Sequence, residues 1–563
     1  MSQTSKSKLL ALMALTVTVM LASSAAADVP KMVQTASGPV QATARGEMRS
    51  YFAIPFAAPP VGDLRWRAPA PAAGWTTPIA KTKTAAACLQ TGPDSAFRTK
   101  GDSEDCLYLD VHTPTGKGPF PVMVWIHGGA FITGDASTYA NPAALVAKGV
   151  IVVGIHYRLG AMGFLAHPAL RDAAGSSGDY GMMDQQAALR WVRTNIGAFG
   201  GDAKNVTIFG ESAGGFSVLT HLASPLSTGL FDKAIIESGA YGVSSQLTQS
   251  EMETKSAAAL GQAMVGQDLG PACASGALTA ECLRSLPDSV VRGKLMSAFG
   301  QAVGNVVPSV DGKVLPQTIK ATFAAKANNK VPVINGSNEN ESLLFIAIGE
   351  MTARFTAKPP NFDPSNKSFL MTAEAYNKGA AAMAGTSGMS VADVTEKYYP
   401  LSRFGDDPAL QPSLASGAAG TDSAFSCNAA NVSAAIAAQG EPIWMYEFRD
   451  QTAVPFLGTF GGKYVLSLPQ GAAHAYELAY VFDMAGGAQN AEQKALKATM
   501  ATYWSNFARS GNPNGAGAPA WKAFKGKALQ ALDVASGGGV KAMPSSAFLD
   551  QHLCKSAWVK QTF

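Results

Sequence analysis

Gly210-Glu211-Ser212-Ala213-Gly214 directly follows the β-branched run Asn205-Val206-Thr207-Ile208-Phe209 and opens into the small-residue stretch Gly215-Phe216-Ser217-Val218-Leu219. No other feature constrains the fold as much. A serine held on a sharp strand-to-helix turn needs glycines two positions to either side. Side chains there would strike the neighbouring strand and helix, and the turn leaves the hydroxyl exposed at the helix N-terminus. The pattern therefore predicts a nucleophile elbow with Ser212 as nucleophile. An ordinary Gly-rich turn is the competing explanation, but the preceding strand, the following helix and the extra Gly215 weigh against it.

A fold with this elbow presents nucleophile, acid and histidine in that chain order. Upstream, the apolar run Pro121-Val122-Met123-Val124-Trp125-Ile126 ends in His127-Gly128-Gly129-Ala130-Phe131. Consecutive glycines let the backbone turn its N–H groups toward one point, so the amides of Gly128, Gly129 and Ala213 form the expected donor set for an oxyanion. His127, at the strand end, is expected to hold the loop rather than move protons.

Three histidines lie downstream of Ser212: His221, His474 and His552. His221 is nine residues along the helix that Ser212 opens, more than two turns from the hydroxyl, and His552 sits beside Cys554 near the C-terminus. His474, in the loop Gln470-Gly471-Ala472-Ala473-His474-Ala475-Tyr476-Glu477, is the expected base. For the acid, Val331-Pro332-Val333-Ile334-Asn335 reads as a sheet strand. The segment Gly336-Ser337-Asn338-Glu339-Asn340-Glu341-Ser342 after it offers two carboxylates, of which Glu341 is preferred to Glu339. Asp311 competes, but Asp311-Gly312 is a common turn signal. The acid would fix the imidazole tautomer and stabilise the imidazolium.

Buried strands read at Gly149–Ile155, Asn205–Phe209, Lys233–Ile236, Lys330–Ile334 and Pro442–Phe448 alternate with helical patterns such as Gly181–Ile196. A helix near Glu492–Arg509 gathers Leu496, Met500, Tyr503, Trp504 and Phe507 on one face, then stops at Gly511 and Pro513. The stretch Ser416–Ser423 and the run Gly537-Gly538-Gly539 read as loops. The alternation predicts an α/β class: a central, mostly parallel sheet flanked by helices on both faces, with the site at the strands' C-terminal ends.

Further blocks are Ile54-Pro55-Phe56-Ala57-Ala58-Pro59-Pro60 with Leu64-Arg65-Trp66, Ser103-Glu104-Asp105-Cys106-Leu107-Tyr108-Leu109, and Tyr157-Arg158-Leu159-Gly160 with Gly163-Phe164-Leu165. Gly181-Met182-Met183-Asp184-Gln185-Gln186 and Phe199-Gly200-Gly201-Asp202 continue the series. With the elbow, these ordered blocks make the chain resemble a bacterial secreted type-B carboxylesterase, in the cholinesterase-like branch of the α/β-hydrolases. The resemblance implies the α/β-hydrolase fold and glutamate as triad acid, carried by a Gly-x-Asn-x-x-Glu pattern that Gly336, Asn338 and Glu341 satisfy. It also implies that Ser238 supports the acid and that Glu211 organises polar groups or water beside the nucleophile.

The first residues, Met1–Ala27, combine Lys6 and Lys8, an apolar run from Leu9 to Leu21 and Ala25-Ala26-Ala27 before Asp28, which is the pattern of a cleaved export signal. Residues 28–563 then form one catalytic domain with insertions, secreted or periplasmic, with no stable membrane insertion of the mature chain. The whole sequence carries a formal charge of +4, and the leader holds two of those lysines, so the mature chain is near neutral. With no basic tract, nucleic acid is not an expected partner. Oligomeric state is left open.

Six cysteines in an exported chain point to bridges rather than metal ligands, though six allow fifteen pairings. Cys88 with Cys106 and Cys273 with Cys282 would close local loops and leave Cys427 with Cys554, the same pairings the resemblance implies. No CxxC or histidine-paired cluster argues for zinc, so neither metal nor cofactor is expected.

Substrate class is less constrained. The polar segment Leu89–Asp105 holds no tryptophan, and no aromatic cage for a quaternary ammonium or wide apolar lid for lipid is visible there. Esters of small to medium, aromatic or xenobiotic molecules are the expected partners, with Phe131, Phe216 and Phe456 as pocket residues that could equally be core. An acyltransferase running through the same acyl-enzyme is an alternative. So is a non-catalytic adhesion or binding protein, against which the presence of Ser212, Glu341 and His474 argues.

Overall fold

A computed structural model describes residues 31–45, 48–90, 101–139, 141–243, 245–455, 457–460, 463–484 and 489–559. The expected leader, most of the segment between Cys88 and Cys106, and Phe456 lie outside the described residues. Eleven strands form one sheet. Seven of them run parallel, in the spatial order Ile151–Ile155, Phe120–Ile126, Gly201–Glu211, Lys233–Glu237, Val333–Asn338, Ile443–Phe448 and Ala528–Leu532. Antiparallel strands close both edges, Lys541–Pro544 on one side and Tyr108–Pro114, Met48–Pro55 and Thr43–Arg45 on the other.

The near-continuous apolar runs of the central strands follow from burial on both faces. Along Phe120–Ile126 the side chains alternate. Val122, Val124 and Ile126 join one apolar core, whereas Met123 and Trp125 join a second on the opposite face. Ile334 and Val333, and Ile235 and Ala234, divide in the same way. Helix Ala491–Ser510 covers the second face with Leu496, Met500, Tyr503, Trp504 and Phe507 buried, and ends at Gly511 in the left-handed conformation.

Two expectations are corrected. The strand before the candidate acid is Val333–Asn338, which begins two residues later and ends three residues later than the expected Val331–Asn335. Ser416–Ser423 is not a loop: helix Gln411–Gly420 passes through a π-helical turn, Thr421–Ser426, into helix Cys427–Ala437. Its small residues serve packing, since a Cβ on Gly417 would come within 2.3 Å of Leu343 and one on Gly420 within 2.7 Å of Ser342. Composition read as turn chemistry was instead a close helix contact. The Gly537-Gly538-Gly539 run does lie in the connection before the antiparallel edge strand.

Cysteines pair as Cys88–Cys106, Cys273–Cys282 and Cys427–Cys554. Among the described residues no helix is long and apolar enough to cross a membrane.

Candidate active site

Ser212 stands between strand Gly201–Glu211 and helix Ala213–Ala223 with φ 57° and ψ −121°. That conformation is costly for a residue with a Cβ, by about 1–3 kcal/mol, and persists only where surrounding structure enforces it. Enforcement is visible. The Ser212 amide donates to the Glu237 carbonyl at 2.9 Å. A Cβ on Gly214 would lie 1.9 Å from the Ile126 carbonyl oxygen, so the helix start is pressed against the next strand. Ala130, Phe131, Ser238 and Ala475 around the same site also hold positive φ.

The Gly128-Gly129 loop reaches the elbow closely. A Cβ on Gly128 would sit 2.8 Å from the Glu211 carbonyl oxygen and 3.1 Å from Ser212 Cβ. Ala213 opens its helix, so its amide is among those a first turn leaves without an intrahelical acceptor. His127 braces the loop as expected: its Nδ1 donates to the Gly128 carbonyl at 2.8 Å, and its ring stacks on Tyr157, whose hydroxyl donates to the His127 carbonyl. Burial lowers the His127 pKa to about 4, keeping the ring neutral.

The other side is built by two interlaced loops. The His474 amide donates to the Glu341 carbonyl, the Asn340 amide to the Ala472 carbonyl, and the Ala472 amide to Asn340 Oδ1. Asn338 Nδ2 adds a 2.7 Å bond to the Ala473 carbonyl. These bonds place His474 Nδ1 2.5 Å from Glu341 Oε2, while Glu341 Oε1 accepts from the Asn338 amide at 2.7 Å. His474 Nε2 lies 3.0 Å from Glu211 Oε1 but makes no hydrogen bond of regular geometry. Catalytic hydrogen bonds commonly close only when substrate is present.

The rejected alternatives have other work. His221 bonds Gln185 and Ser227 within the core. His552 bridges Asp422 and Glu447, each at 2.6 Å. Glu339 is tied to Arg449 and Gln551, and Asp311 caps its own turn by accepting from the Lys313 and Leu315 amides.

Sequence reading named Glu211 but missed the buried carboxylates that surround it near the candidate triad. Glu211, Glu237 and Glu477 join Glu341, all buried. Burial first, and then the Glu341 and Glu237 charges, push the Glu211 pKa well up. Glu477 is raised by burial and then by the charges of Glu211, Glu237 and Glu341, against its bond from Asn338. Glu237 is raised to about 8 by burial, opposed by a hydrogen bond from Trp504 Nε1. Burial and mutual repulsion thus favour the protonated forms of Glu211, Glu237 and Glu477. Nothing in the local sequence marks Glu237 and Glu477, because separate elements of the fold bring them to Glu211.

Ser238 is buried at the end of strand Lys233–Glu237, and its hydroxyl has no hydrogen-bond partner, so no bond to the acid is made in this structure. Phe131 and Phe216 are fully buried and edge-on to each other, core residues behind the site. The rings that touch the imidazole are Phe345 and Phe425, at 5.2 and 5.0 Å from His474, and neither was singled out from sequence.

The sequence profile of the carboxylesterase family matches residues 29–549. Fumonisin B1 esterase of Sphingopyxis macrogoltabida is 34% identical over 92% of this chain and 90% of its own length. Para-nitrobenzyl esterase of Bacillus subtilis is 33% identical over 86% of this chain and 91% of its own. Liver carboxylesterase 1 of Oryctolagus cuniculus is 34% identical over 84% and 83% respectively.

Proposed function

The chain belongs to the carboxylesterase family and is a carboxylic-ester hydrolase, and from that premise we propose that it works through an acyl-enzyme on Ser212. His474 Nε2 takes the Ser212 proton as Oγ attacks the ester carbonyl. The carbonyl oxygen becomes an oxyanion facing the Gly128, Gly129 and Ala213 amides. Glu341 keeps the proton on Nδ1 and stabilises the imidazolium, which then protonates the departing alcohol. Water, deprotonated by the same histidine, cleaves the acyl-enzyme and returns the proton to Ser212.

The observation that carries this reading is the 2.5 Å His474–Glu341 pair, whose imidazole comes within 3.0 Å of Glu211, the residue that precedes the backbone-strained Ser212. Glu211, whose burial favours the protonated carboxyl, lines the nucleophile, and Ser238 lies buried next to Glu237 at the end of the adjoining strand. Substrates are small to medium esters, aromatic ones included, since Phe345 and Phe425 flank the imidazole and Phe345 is exposed. The names of two relatives, for fumonisin B1 and para-nitrobenzyl esters, agree with a substrate of that kind. The Met1–Ala27 leader and three disulfides support export of residues 28–563 as one catalytic unit.

Two variants test the assignment. Ser212→Ala and His474→Ala should each lower kcat by roughly four orders of magnitude or more, and Ser212→Ala should abolish labelling by an organophosphonate. Near-normal turnover in either variant would sink it.

A further inference from the structure

Tyr241 carries a polar atom that the reaction above does not use. Its ring lies between Phe216, 5.4 Å away, and Phe425, 5.6 Å away. Phe425 in turn stacks on Phe345 at 6.0 Å, and Phe345 is 46% exposed. A file of rings thus runs from the surface past His474 to the core behind Ser212. Along it the Tyr241 hydroxyl is buried without a hydrogen-bond partner, while the tyrosine as a whole keeps part of its surface open. The hydroxyl reaches the Ser212 side chain and feels the Glu211 carboxyl, without closing a bond of regular geometry to either.

Leaving a buried hydroxyl unsatisfied is costly, and apolar pockets use few, placed polar groups to select ligands. We infer that the Tyr241 hydroxyl is a specificity-determining donor for an oxygen carried by the acyl part of the ester, close to its carbonyl. The acyl part is assigned because Tyr241 reaches Ser212 itself. Whatever stays bonded to Ser212 Oγ after the alcohol departs is what this hydroxyl meets. The favoured class is an ester whose acyl group bears an ether, keto or hydroxyl oxygen next to an apolar or aryl body that can lie along the rings.

The inference rests on the acyl-enzyme reading, and the test separates the two. Two p-nitrophenyl esters are compared, phenoxyacetate and 3-phenylpropanoate, which differ by one oxygen in place of a methylene. The oxygen also activates the carbonyl electronically, but that effect is common to wild type and Tyr241→Phe and cancels between them. The ratio of kcat/KM values, oxygenated over carbon isostere, should be about 10-fold higher in wild type than in Tyr241→Phe, the worth of one neutral hydrogen bond. Labelling of Ser212 by an organophosphonate establishes that the variant is folded with a reactive nucleophile. Ratios within a factor of about two of each other, with Ser212 labelled in both proteins, would mean that the hydroxyl serves only a bound water and would overturn the inference alone. Turnover of these esters that persisted in Ser212→Ala would overturn the acyl-enzyme reading and this one together.

Discussion

Gly128→Ala is the sharpest test of how the oxyanion site is made. The added methyl would meet the Glu211 carbonyl oxygen at 2.8 Å, Glu211 Oε2 at 2.9 Å and Ser212 Cβ at 3.1 Å. Ordinary carbon–oxygen contact begins near 3.4 Å, so about 0.6 Å must be found. The elbow cannot supply it, because the start of the helix after Ser212 is already pressed against the Ile126 carbonyl. The loop must retreat, carrying the Gly128 and Gly129 amides away from where the oxyanion forms. Loss of one such donor lowers kcat by about 10²–10³-fold, and a retreat of that size by two donors should cost on the order of 10²-fold. KM should change little, since the contact strengthens only as charge develops. Steady-state kinetics on a chromogenic ester, with thermal melting to confirm folding, reads both numbers. A folded variant whose kcat stayed within threefold of wild type would refute the reasoning, and with it the placement of the oxyanion at this loop.

Glu341→Gln should leave the fold intact while sharply lowering kcat, because an amide mis-sets the imidazole tautomer, whereas Asp311→Asn should be mild because asparagine keeps the turn's acceptor; the reverse pattern would overturn the acid assignment. Non-reducing peptide mapping should recover the three disulfides, and loss of Cys427–Cys554 should destabilise most. Its ends are 127 residues apart, worth about 5 kcal/mol in the chain-entropy model, against about 3 kcal/mol for the 18-residue separation of Cys88 and Cys106. Burial disfavours charge on His552, but hydrogen bonds and attraction from Asp422 and Glu447 outweigh it and raise its pKa to about 10. A raised histidine pKa stabilises the fold fully below the unfolded value near 6.5, progressively less above it, and not at all once pH passes about 10. NMR of labelled histidines should show one imidazolium persisting at pH 8 that disappears in His552→Gln; an all-neutral spectrum there would refute it.

What the sequence determined by itself was local. A G-x-S-x-G stretch between a β-branched run and a helix start, and two glycines at the end of a buried strand, state their backbone requirements within a few residues, so the elbow and the glycine loop that packs against it were legible without any contact being known. The strand–helix alternation was legible for the same reason, since burial on both faces writes itself into each strand. Tertiary structure decided what depends on approach across the chain. It set Glu341 rather than Glu339 against His474, because the Asn338 and Asn340 side chains lace two loops far apart in sequence. It turned the Gly/Ala/Ser stretch into a helix, because packing against Leu343 and Ser342 asks for small side chains that composition alone reads as turn. It gathered Glu211, Glu237 and Glu477 from different elements into one low-dielectric cluster, and it left the Tyr241 hydroxyl without a partner beside Ser212. Burial and mutual distance fix the charge and the hydrogen bonding of such groups, and neither quantity exists until the chain has closed on itself.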